Sequence, residues 1–383
     1  MKRLLYIAFN DCENLLFGVH AKMCSQCRAF ESYGYQVDMI QRQGSSSVLI
    51  GKQTTPIRKH AARIHNYNIR AVLDKQNQIR DIKAFLKGNH YDACYIRYDF
   101  SDPAFISLLK SIKKVCPKIA LEFPTYPYEE ENRARFISRM KLAVDIQYRK
   151  KLKKYVDFIV TFYGEDKTIF GIPVLVIPNG FDFSTMSLVS RELQEDSLHI
   201  IAVSSMREWH GYERFLEGMH HYYREGGTHP IVLHLVGKGR EYGKYQKLIH
   251  EYGLEDKVIL EGAMQGQKLD ELYERCALGI DSLARHRSGI QVLSSLKSRE
   301  YGAKGIPMIN SCKIDILGPE FPYLLQVSAD ETPIDMNEVI SFYQKCFPNG
   351  KSRTAVGEEI RSYVEARSGM RQTLASVVKR FEA

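Results

Sequence analysis

The sequence predicts an α/β protein made of two consecutive doubly wound domains. Three observations lead to this prediction: 383 residues are more than one typical domain needs, short apolar runs alternate with longer amphipathic segments, and the alternation stops at a polar segment and then restarts. The polar segment covers residues 184–197. We therefore expect an N-terminal domain over 1–183, a linker over 184–197 and a C-terminal domain over 198–383, with the C-terminal helix packing back on the first domain.

The first series begins with a strand, a helix and a second strand. Residues 4–9 form an apolar run, 20–33 have helical spacing and stop at Gly34, and 35–40 alternate as a strand does. This βαβ order predicts a parallel sheet with a right-handed crossover. The predicted elements that follow are helices at 74–86, 103–115 and 130–154, and strands at 93–96, 119–123, 158–161 and 173–177.

The second series repeats this pattern. Its predicted elements are strands at 199–203, 231–236, 258–260, 278–280 and 307–309, and helices at 212–224, 242–252, 269–276 and 296–303. Ligands of doubly wound sheets bind beyond the carboxyl ends of the strands, so we expect the functional residues in the loops that follow them.

Composition excludes several classes of protein. Hydrophobic residues make up 44% of the chain and charged residues 26%, as in an ordinary globular protein. The eight cysteines are scattered rather than arranged as a disulfide framework. Because no apolar run approaches the ~20 residues of a membrane-spanning helix and no signal peptide is present, we expect a cytoplasmic protein.

The positive charge lies in the first half of the chain. Residues 1–180 contain 29 basic and 17 acidic residues, a net charge of +12, whereas residues 181–383 have a net charge of −3. Much of the excess falls within 58–70 and 133–154. This asymmetry favours an anionic partner, either a membrane surface or nucleic acid, over a merely solvated helix face. Since no nucleic-acid recognition motif is present, we expect a membrane surface, and a nucleic-acid partner is the less favoured alternative.

Phosphate-binding and metal-binding motifs are missing. The sequence has no GxxxxGK[ST] loop, and its Gly237-Lys238-Gly239 run continues to Gly243 rather than forming GxGxxG. No two aspartates are separated by one residue, so we expect no metal clamp and no metal site. Cations and backbone amides must then hold any anionic substrate.

One segment offers such groups. Ser295 is placed as the N-cap of a helix, Lys297 adds a positive charge beside its free N–H groups, and Glu300 lies one turn further on, where it could accept hydrogen bonds from a ribose. The alternative is an ordinary capped helix whose charged side chains are solvated.

The order of the motifs resembles the GT-B glycosyltransferases, in particular the retaining family 4, or group 1. The similar segments are 177–182 (PNGxD), 235–239 (VGxG), 258–262 (VxFxG) and 299–309 (EAxAxGxPVI), and Gly18 occupies the place of the family's glycine loop. The resemblance implies two Rossmann-like domains that face a central cleft, with the nucleotide held by the C-terminal domain.

The chain departs from this family at several functional positions. Val292 stands where the first of two glutamates is usual, Pro124 stands where the active-site histidine is usual, and the usual arginine and lysine fall near Ser205 and His210. Arg207, His210 and Lys297 are the available substitutes. These departures make a catalytically inactive GT-B partner subunit the alternative.

The resemblance implies a hexosyltransferase-type, retaining, metal-independent glycosyltransferase of bacterial surface polysaccharide synthesis. It uses a nucleotide-sugar donor substrate, a UDP-sugar by preference, needs no cofactor, and acts on a glycan or lipid-linked acceptor, in the cytoplasm or peripherally at the inner face of the cell membrane. The predicted catalytic residues are Arg207, Lys297 and Glu122. The predicted donor-binding residues are Gly18, His210, Gly237, Gly262, Ser295 and Glu300, and the acceptor-side residues are Arg97 and Tyr126.

Overall fold

The computed structural model describes residues 1–12, 17–51, 54–60, 67–129, 136–162, 164–193, 196–348 and 351–383. The chain divides into two compact units, one made of Met1–Gly180 with Met370–Ala383 and the other of Phe181–Gly369. Each unit is a mainly parallel sheet with helices. The predicted α/β class with two doubly wound domains is confirmed.

The first unit contains a nine-stranded sheet of order β4-β3-β2-β1-β5-β6-β7-β9-β8. Its strands are β1 (Lys2–Asp11), β2 (Tyr35–Gln43), β3 (Ser46–Ile50), β4 (Thr55–Arg58), β5 (Ala93–Arg97), β6 (Lys118–Glu122), β7 (Phe158–Thr161), β8 (Thr168–Ile169) and β9 (Ile172–Val176). Its helices are α1 (Phe17–Ser32), α2 (Tyr67–Phe85), α3 (Pro103–Ile112) and α4 (Phe136–Arg149). The βαβ opening pairs β1 with β2 in parallel, as predicted.

Two features of this unit differ from the sequence prediction. The antiparallel strands β3 and β4 extend the sheet beyond β2 and were not predicted, because they are short and β4 contains a proline. The helix expected over 130–154 is α4 followed by a 3-10 turn at Leu152–Lys154, and residues 130–135 lie outside the described part of the chain.

The second unit contains a six-stranded parallel sheet of order β12-β11-β10-β13-β15-β17, and β14 pairs separately with β16. The strands are β10 (Leu198–Val203), β11 (Ile231–Val236), β12 (Val258–Gly262), β13 (Leu278–Ile280), β14 (Val292–Leu293), β15 (Met308–Asn310), β16 (Lys313–Ile314) and β17 (Leu324–Gln326). The helices are α5 (Tyr212–Arg224), α6 (Tyr242–Glu251), α7 (Gln267–Tyr273), α8 (Leu296–Lys304), α9 (Met336–Cys346) and α10 (Arg353–Ser368). The strand order reverses at β10, which lies between β11 and β13.

The last helix, α11 (Met370–Glu382), belongs to the first unit. Its apolar face packs in the core against α1 and the sheet, with the ring of Phe381 centred 6.3 Å from that of Phe30 and 5.3 Å from that of Phe158. The segment predicted as a linker is part of the second unit instead, since Val189 is buried in its core.

Candidate functional site

The candidate site lies in the second unit, at the carboxyl ends of β10, β11 and β13. The strand order reverses at β10, and this is where doubly wound sheets bind their ligands. Four pieces of chain meet there: the 204–211 loop after β10, the turn at Gly237 after β11, the residues after β13, and the N-terminus of α8.

Two glycines let the loops after β10 and β11 pack backbone against backbone. Gly237 has a φ of +117°, and a Cβ there would lie 1.9 Å from the carbonyl oxygen of Ser204. At Gly239 a Cβ would lie 1.8 Å from the carbonyl oxygen of Ser205. Only glycine permits this approach, because the Cβ of any other residue would overlap backbone atoms of the neighbouring loop. The Gly237 N–H donates to the Gly262 carbonyl at 2.6 Å, so these two predicted donor-binding glycines lie together.

A buried ion pair forms the centre of the site. Asp281 directly follows β13, and its side chain is fully buried. The Lys297 ammonium lies 3.0 Å from Asp281 Oδ1, and it donates to the Asp281 carbonyl oxygen and, at 3.2 Å, to Ser282 Oγ. Ser295 caps α8 by accepting from the Ser298 N–H at 3.1 Å, while its hydroxyl donates to the Asp281 carboxylate. The predicted cap and cation are therefore fixed by one aspartate.

Electrostatics keep this aspartate ionised. Burial raises the pKa of Asp281, but the Lys297 charge and the hydrogen bonds from Ser295 and Lys297 outweigh burial, so the net pKa lies below the ordinary value. A cation held against an ionised, buried carboxylate has a fixed position before any ligand arrives.

His210 is a neutral hydrogen-bond donor at this site. Burial, followed by the positive charges of Lys297, Arg285 and Arg207, lowers the pKa of His210 far below its ordinary value. Its Nδ1 accepts the backbone N–H of Arg207 at 2.9 Å, which assigns the proton to Nε2. No described residue forms a hydrogen bond with that Nε2, and the ring stacks on Tyr212 with centroids 5.5 Å apart. The Nε2–H is thus available to an anionic ligand.

Arg207 supplies a charge that no described carboxylate neutralises. Its half-buried side chain makes no ion pair with a carboxylate of the described residues. Arg207 and Lys297 both act electrostatically on His210. The structure therefore places the predicted residues Arg207 and Lys297 close enough to His210 for their charges to act on it.

Glu300 lies on α8, one turn after Lys297, and is partly buried. Its Oε1 accepts a hydrogen bond from the buried Tyr273 hydroxyl at 2.8 Å. Burial raises the pKa of Glu300 above its ordinary value, and the Tyr273 hydrogen bond and the charge of Lys304 only partly oppose this. Tyr273 leaves the second carboxylate oxygen for a ligand.

The other predicted residues lie in the first unit. Glu122 ends β6, is fully buried, and accepts from Gln26 Nε2 at 2.5 Å, from Tyr95 Oη at 2.8 Å and from Arg97. Lys22 lies 4.0 Å away. Burial raises the pKa of Glu122, but Lys22, Arg97 and these hydrogen bonds lower it on balance. An ionised carboxylate with this many partners positions its neighbours, above all Arg97.

Tyr126 and Gly18 are also in the first unit. The Tyr126 ring stacks on Phe123 with centroids 6.0 Å apart, in the loop after β6. Gly18 is the second residue of α1 and not part of a loop before it. The predicted site residues therefore form two groups, one in the first unit and one in the second.

Sequence reasoning missed two residues of the site, Asp281 and Tyr273. Asp281 carries a signal, since a carboxylate directly after a buried strand stands where ligands bind, but its pairing with Lys297 depends on the fold. Tyr273 has no such signal in the sequence, apart from its place at the end of a helix. Among the described residues, no group of three or more His, Cys, Asp or Glu side chains is arranged to hold a metal ion.

Comparisons with known proteins agree with this architecture. The sequence model of the family described as glycosyl transferases group 1 matches residues 188–293. No curated protein sequence matches the chain. In the part of the chain that the structure describes, no helix is long and apolar enough to cross a membrane.

Solved structures share the fold over the whole chain. Sucrose-phosphate synthase from Thermosynechococcus elongatus superposes with a TM-score of 0.67 at 15% identity, covering 100% of this chain and 99% of the other. A glycosyltransferase from Rickettsia africae gives 0.61 at 12% identity, covering 100% and 98%. Anabaena HepE in complex with UDP gives 0.58 at 12% identity, covering 99% and 100%. The chain has the GT-B fold of glycosyltransferases, and it resembles the glycosyl transferases group 1 family, whose model matches part of its second unit.

Proposed function

We propose that the chain is a glycosyltransferase that moves a sugar from a nucleotide-sugar donor to a hydroxyl group of a glycan or lipid-linked acceptor in bacterial surface polysaccharide synthesis. The observation that carries the proposal is the group formed by Arg207, His210 and Lys297 at the carboxyl ends of β10 and β13, beside the capped N-terminus of α8. Two cations near one neutral N–H donor suit a diphosphate.

The chemistry follows from where charge develops. When the bond between the sugar and the diphosphate breaks, negative charge grows on the departing phosphate oxygens. Donors held in place before the reaction stabilise that charge more than they stabilise the bound substrate, and so they accelerate the step. Lys297 is fixed by Asp281, and Arg207 brings an unneutralised charge. His210 can donate its Nε2 proton in a hydrogen bond without adding a further positive charge.

Glu300 is proposed to bind the ribose. Its carboxylate is oriented by Tyr273, and its other oxygen can accept hydrogen bonds from ribose hydroxyls. A uracil nucleotide is the favoured donor, and the complex of HepE with UDP supports that choice. Ser295, Gly237 and Gly262 are proposed to shape this region, because the Ser295 hydroxyl, the Gly237 N–H and the Gly262 carbonyl already have partners in the fold.

The first unit is proposed to bind the acceptor. Arg97 ends β5, and Tyr126 follows β6, so both lie at the carboxyl edge of the first sheet. Glu122, predicted as catalytic, acts in this proposal through Arg97. We propose retention of the anomeric configuration and a reaction without metal, as the family resemblance implies.

The site of action is proposed to be the cytoplasmic face of the cell membrane. The lysines around the end of α4 are exposed, and their charge matches an anionic leaflet, where each contributes about 1 kcal/mol. The exposed positions are Lys150, Lys151, Lys153 and Lys154.

A donor screen tests the proposal. Melting temperatures are measured with UDP-, GDP- and ADP-sugars, since a ligand that binds only the folded protein raises the melting temperature. We expect a UDP-sugar to raise it, and release of UDP to be detected when that sugar is incubated with the protein. No shift with any nucleotide sugar would refute the proposal. Binding without transfer or hydrolysis would indicate the inactive partner subunit, for which Val292 at the usual glutamate position argues.

A further inference from the structure

A cavity of about 1110 Å³ opens in the first unit at the carboxyl ends of β1 and β5. The ends of these strands supply its polar floor, and α2 and α4 supply its walls. Arg97, the proposed acceptor-side residue, lies in the lining.

The walls of this cavity are unusually apolar for a surface that is open to water. Among the described residues, ten large hydrophobic side chains are exposed, and five of these line this one cavity. They are Val72, Leu73, Ile137, Met140 and Val144. Scattered single apolar residues are normal on a protein surface, but a cluster on one concave wall marks a binding site for an apolar group.

The geometry of α4 directs its residues toward the cavity. Ile137, Met140, Lys141 and Val144 follow the i, i+3, i+4, i+7 spacing of one helical face, and all four line the cavity. The adjoining face is anchored, because the buried carboxylate of Asp145 accepts hydrogen bonds from other parts of the first unit. These include the Tyr128 hydroxyl at 2.6 Å and the Ser101 N–H at 2.6 Å. The apolar face therefore lies on a fixed helix.

Positive charge accompanies the apolar wall. Lys141 makes no ion pair with any described residue, whereas Arg97 at the floor is paired with the buried carboxylate of Glu122. The three carboxylates of the lining all have partners in the fold, and Asp11 accepts the Gly44 N–H at 3.0 Å. Asp99 pairs with Lys75 at 3.0 Å, and Asp102 accepts the Phe105 N–H at 2.7 Å as the N-cap of α3. Among the described residues of the lining, Lys141 is therefore the charged side chain left without an ion pair or a hydrogen-bond partner.

We infer that this cavity binds the acceptor as an amphiphile, with an apolar chain against the α2–α4 wall and a phosphate-bearing head beside Lys141. The identification of this ligand as the acceptor rests on the proposed function; the site and its ligand chemistry rest on the cavity itself. The inference commits the acceptor to one chemical class, a phosphate-bearing lipid, rather than a free glycan.

The test uses the full chain and three probes in isothermal titration calorimetry: n-dodecyl phosphate below its micelle concentration, n-butyl phosphate and inorganic phosphate. We expect dodecyl phosphate to bind at least tenfold more tightly than butyl phosphate, because burying two further methylenes is enough for that ratio. Inorganic phosphate should bind no better than butyl phosphate. Equal affinities for the two alkyl phosphates overturn the inference without any variant having to fold.

Variants locate the binding. The double variant Met140→Gln/Val144→Gln should reduce the dodecyl-to-butyl ratio below threefold, and Lys141→Gln should weaken both probes alike. Ile146→Gln is the matched control, since Ile146 is equally exposed on the same helix but does not line the cavity. An equal loss in the Ile146→Gln control overturns the inference, because it indicates adsorption to the whole helix. It is also overturned if the double variant loses binding to phosphatidylglycerol vesicles but not to dodecyl phosphate, since the wall is then a membrane contact.

Titration of each protein with the UDP-sugar separates this inference from the proposed function. The cavity lies wholly in the first unit, so the variants should bind the nucleotide sugar as the unmodified chain does. If no nucleotide sugar binds but dodecyl phosphate still binds at least tenfold more tightly than butyl phosphate, the proposed function fails and the cavity assignment stands. If the nucleotide sugar binds but the two alkyl phosphates bind equally well, the cavity assignment fails and the proposed function stands.

Discussion

Replacing Lys297 by alanine should remove both a catalytic charge and half of a buried ion pair. The ammonium is the fixed cation of the proposed diphosphate site, so we expect turnover to fall by about 10²-fold or more, the scale of losing one positioned donor. The same change leaves Asp281 buried without its cation. The variant should therefore lose stability as well as activity, and the two losses must be separated.

The magnitude of the stability loss follows from burial. The Asp281 side chain is fully buried and only 3.0 Å from the ammonium, and removing one partner of such a pair costs about 3–5 kcal/mol. The double variant Lys297→Ala/Asp281→Asn removes the stranded charge and keeps the shape of the side chain. We expect it to regain most of the stability while turnover stays low, because the cation is still missing.

The contribution of Asp281 to the pH dependence of stability should change sign in the Lys297→Ala variant. In the unmodified protein the pKa of Asp281 is held below its ordinary value despite burial. The ion pair therefore stabilises the fold fully when the pH is above the ordinary pKa of an aspartate. That stabilisation is lost as the pH falls through the lower pKa that Asp281 has in the folded state. Without Lys297, burial is opposed by fewer groups and the folded-state pKa rises. The single variant should then become more stable, relative to the unmodified protein, as the pH falls from 7 to 5.

Two measurements decide the matter: urea denaturation at pH 7 and pH 5, and steady-state release of nucleotide at saturating donor. Lys345→Ala, which removes an exposed lysine on α9, is the control and should behave as the unmodified protein does. Turnover of Lys297→Ala within threefold of the unmodified protein would remove Lys297 from the mechanism. Recovery of turnover together with stability in the double variant would show that activity was lost only through unfolding.

Three further predictions concern metal, charge and donor capture. EDTA should leave turnover largely unchanged, because cations of the chain are proposed to stabilise the leaving group; complete loss restored by magnesium would contradict this. Arg207→Ala should raise the KM for the donor at least tenfold and become less harmful at high salt, because its charge is not neutralised by a described carboxylate; steady-state kinetics at 0.05 and 0.5 M NaCl measure both. Glutamine at four exposed lysines should weaken binding to phosphatidylglycerol vesicles by up to about 4 kcal/mol and spare activity on a short soluble acceptor. The four lysines are Lys150, Lys151, Lys153 and Lys154, and the matched control changes Lys247, Lys268, Lys313 and Lys345 of the second unit; equal loss in both would indicate a non-specific charge effect.

The fold was predictable where a pattern is local. Apolar runs such as 4–9 have one stable environment, a buried parallel strand, and their order along the chain fixed the two doubly wound sheets. The β3–β4 hairpin was not predictable in this way, because its strands are held by pairing with β2 and not by a pattern of their own. The packing of α11 on the first unit was expected, but the contact that holds it there joins the two ends of the chain and follows from no local pattern.

The site was predictable in part for the same reason. Ser295 and Lys297 follow from the chemistry of a capped helix, and the cap is present. The partner of Lys297 was not predictable, because Asp281 is 16 residues away in sequence and only the packing of α8 against the end of β13 joins them. The neutral state of His210 also depends on burial and on three cations that approach it only in the folded chain.

The arrangement of charges gives each group a distinct task in the proposed reaction. Lys297 is already compensated by Asp281, so its contribution is position more than attraction: the ammonium is oriented before the donor binds. Arg207 has no such compensation from the described carboxylates and supplies the attraction that brings in a diphosphate. His210 adds a hydrogen bond with no charge, which matters because a third positive charge in a buried site would be costly beside the other two. A site that lacks the family's usual residues can in this way still bind a diphosphate. Lys297 supplies a fixed charge, Arg207 a charge that no described carboxylate compensates, and His210 a neutral hydrogen-bond donor.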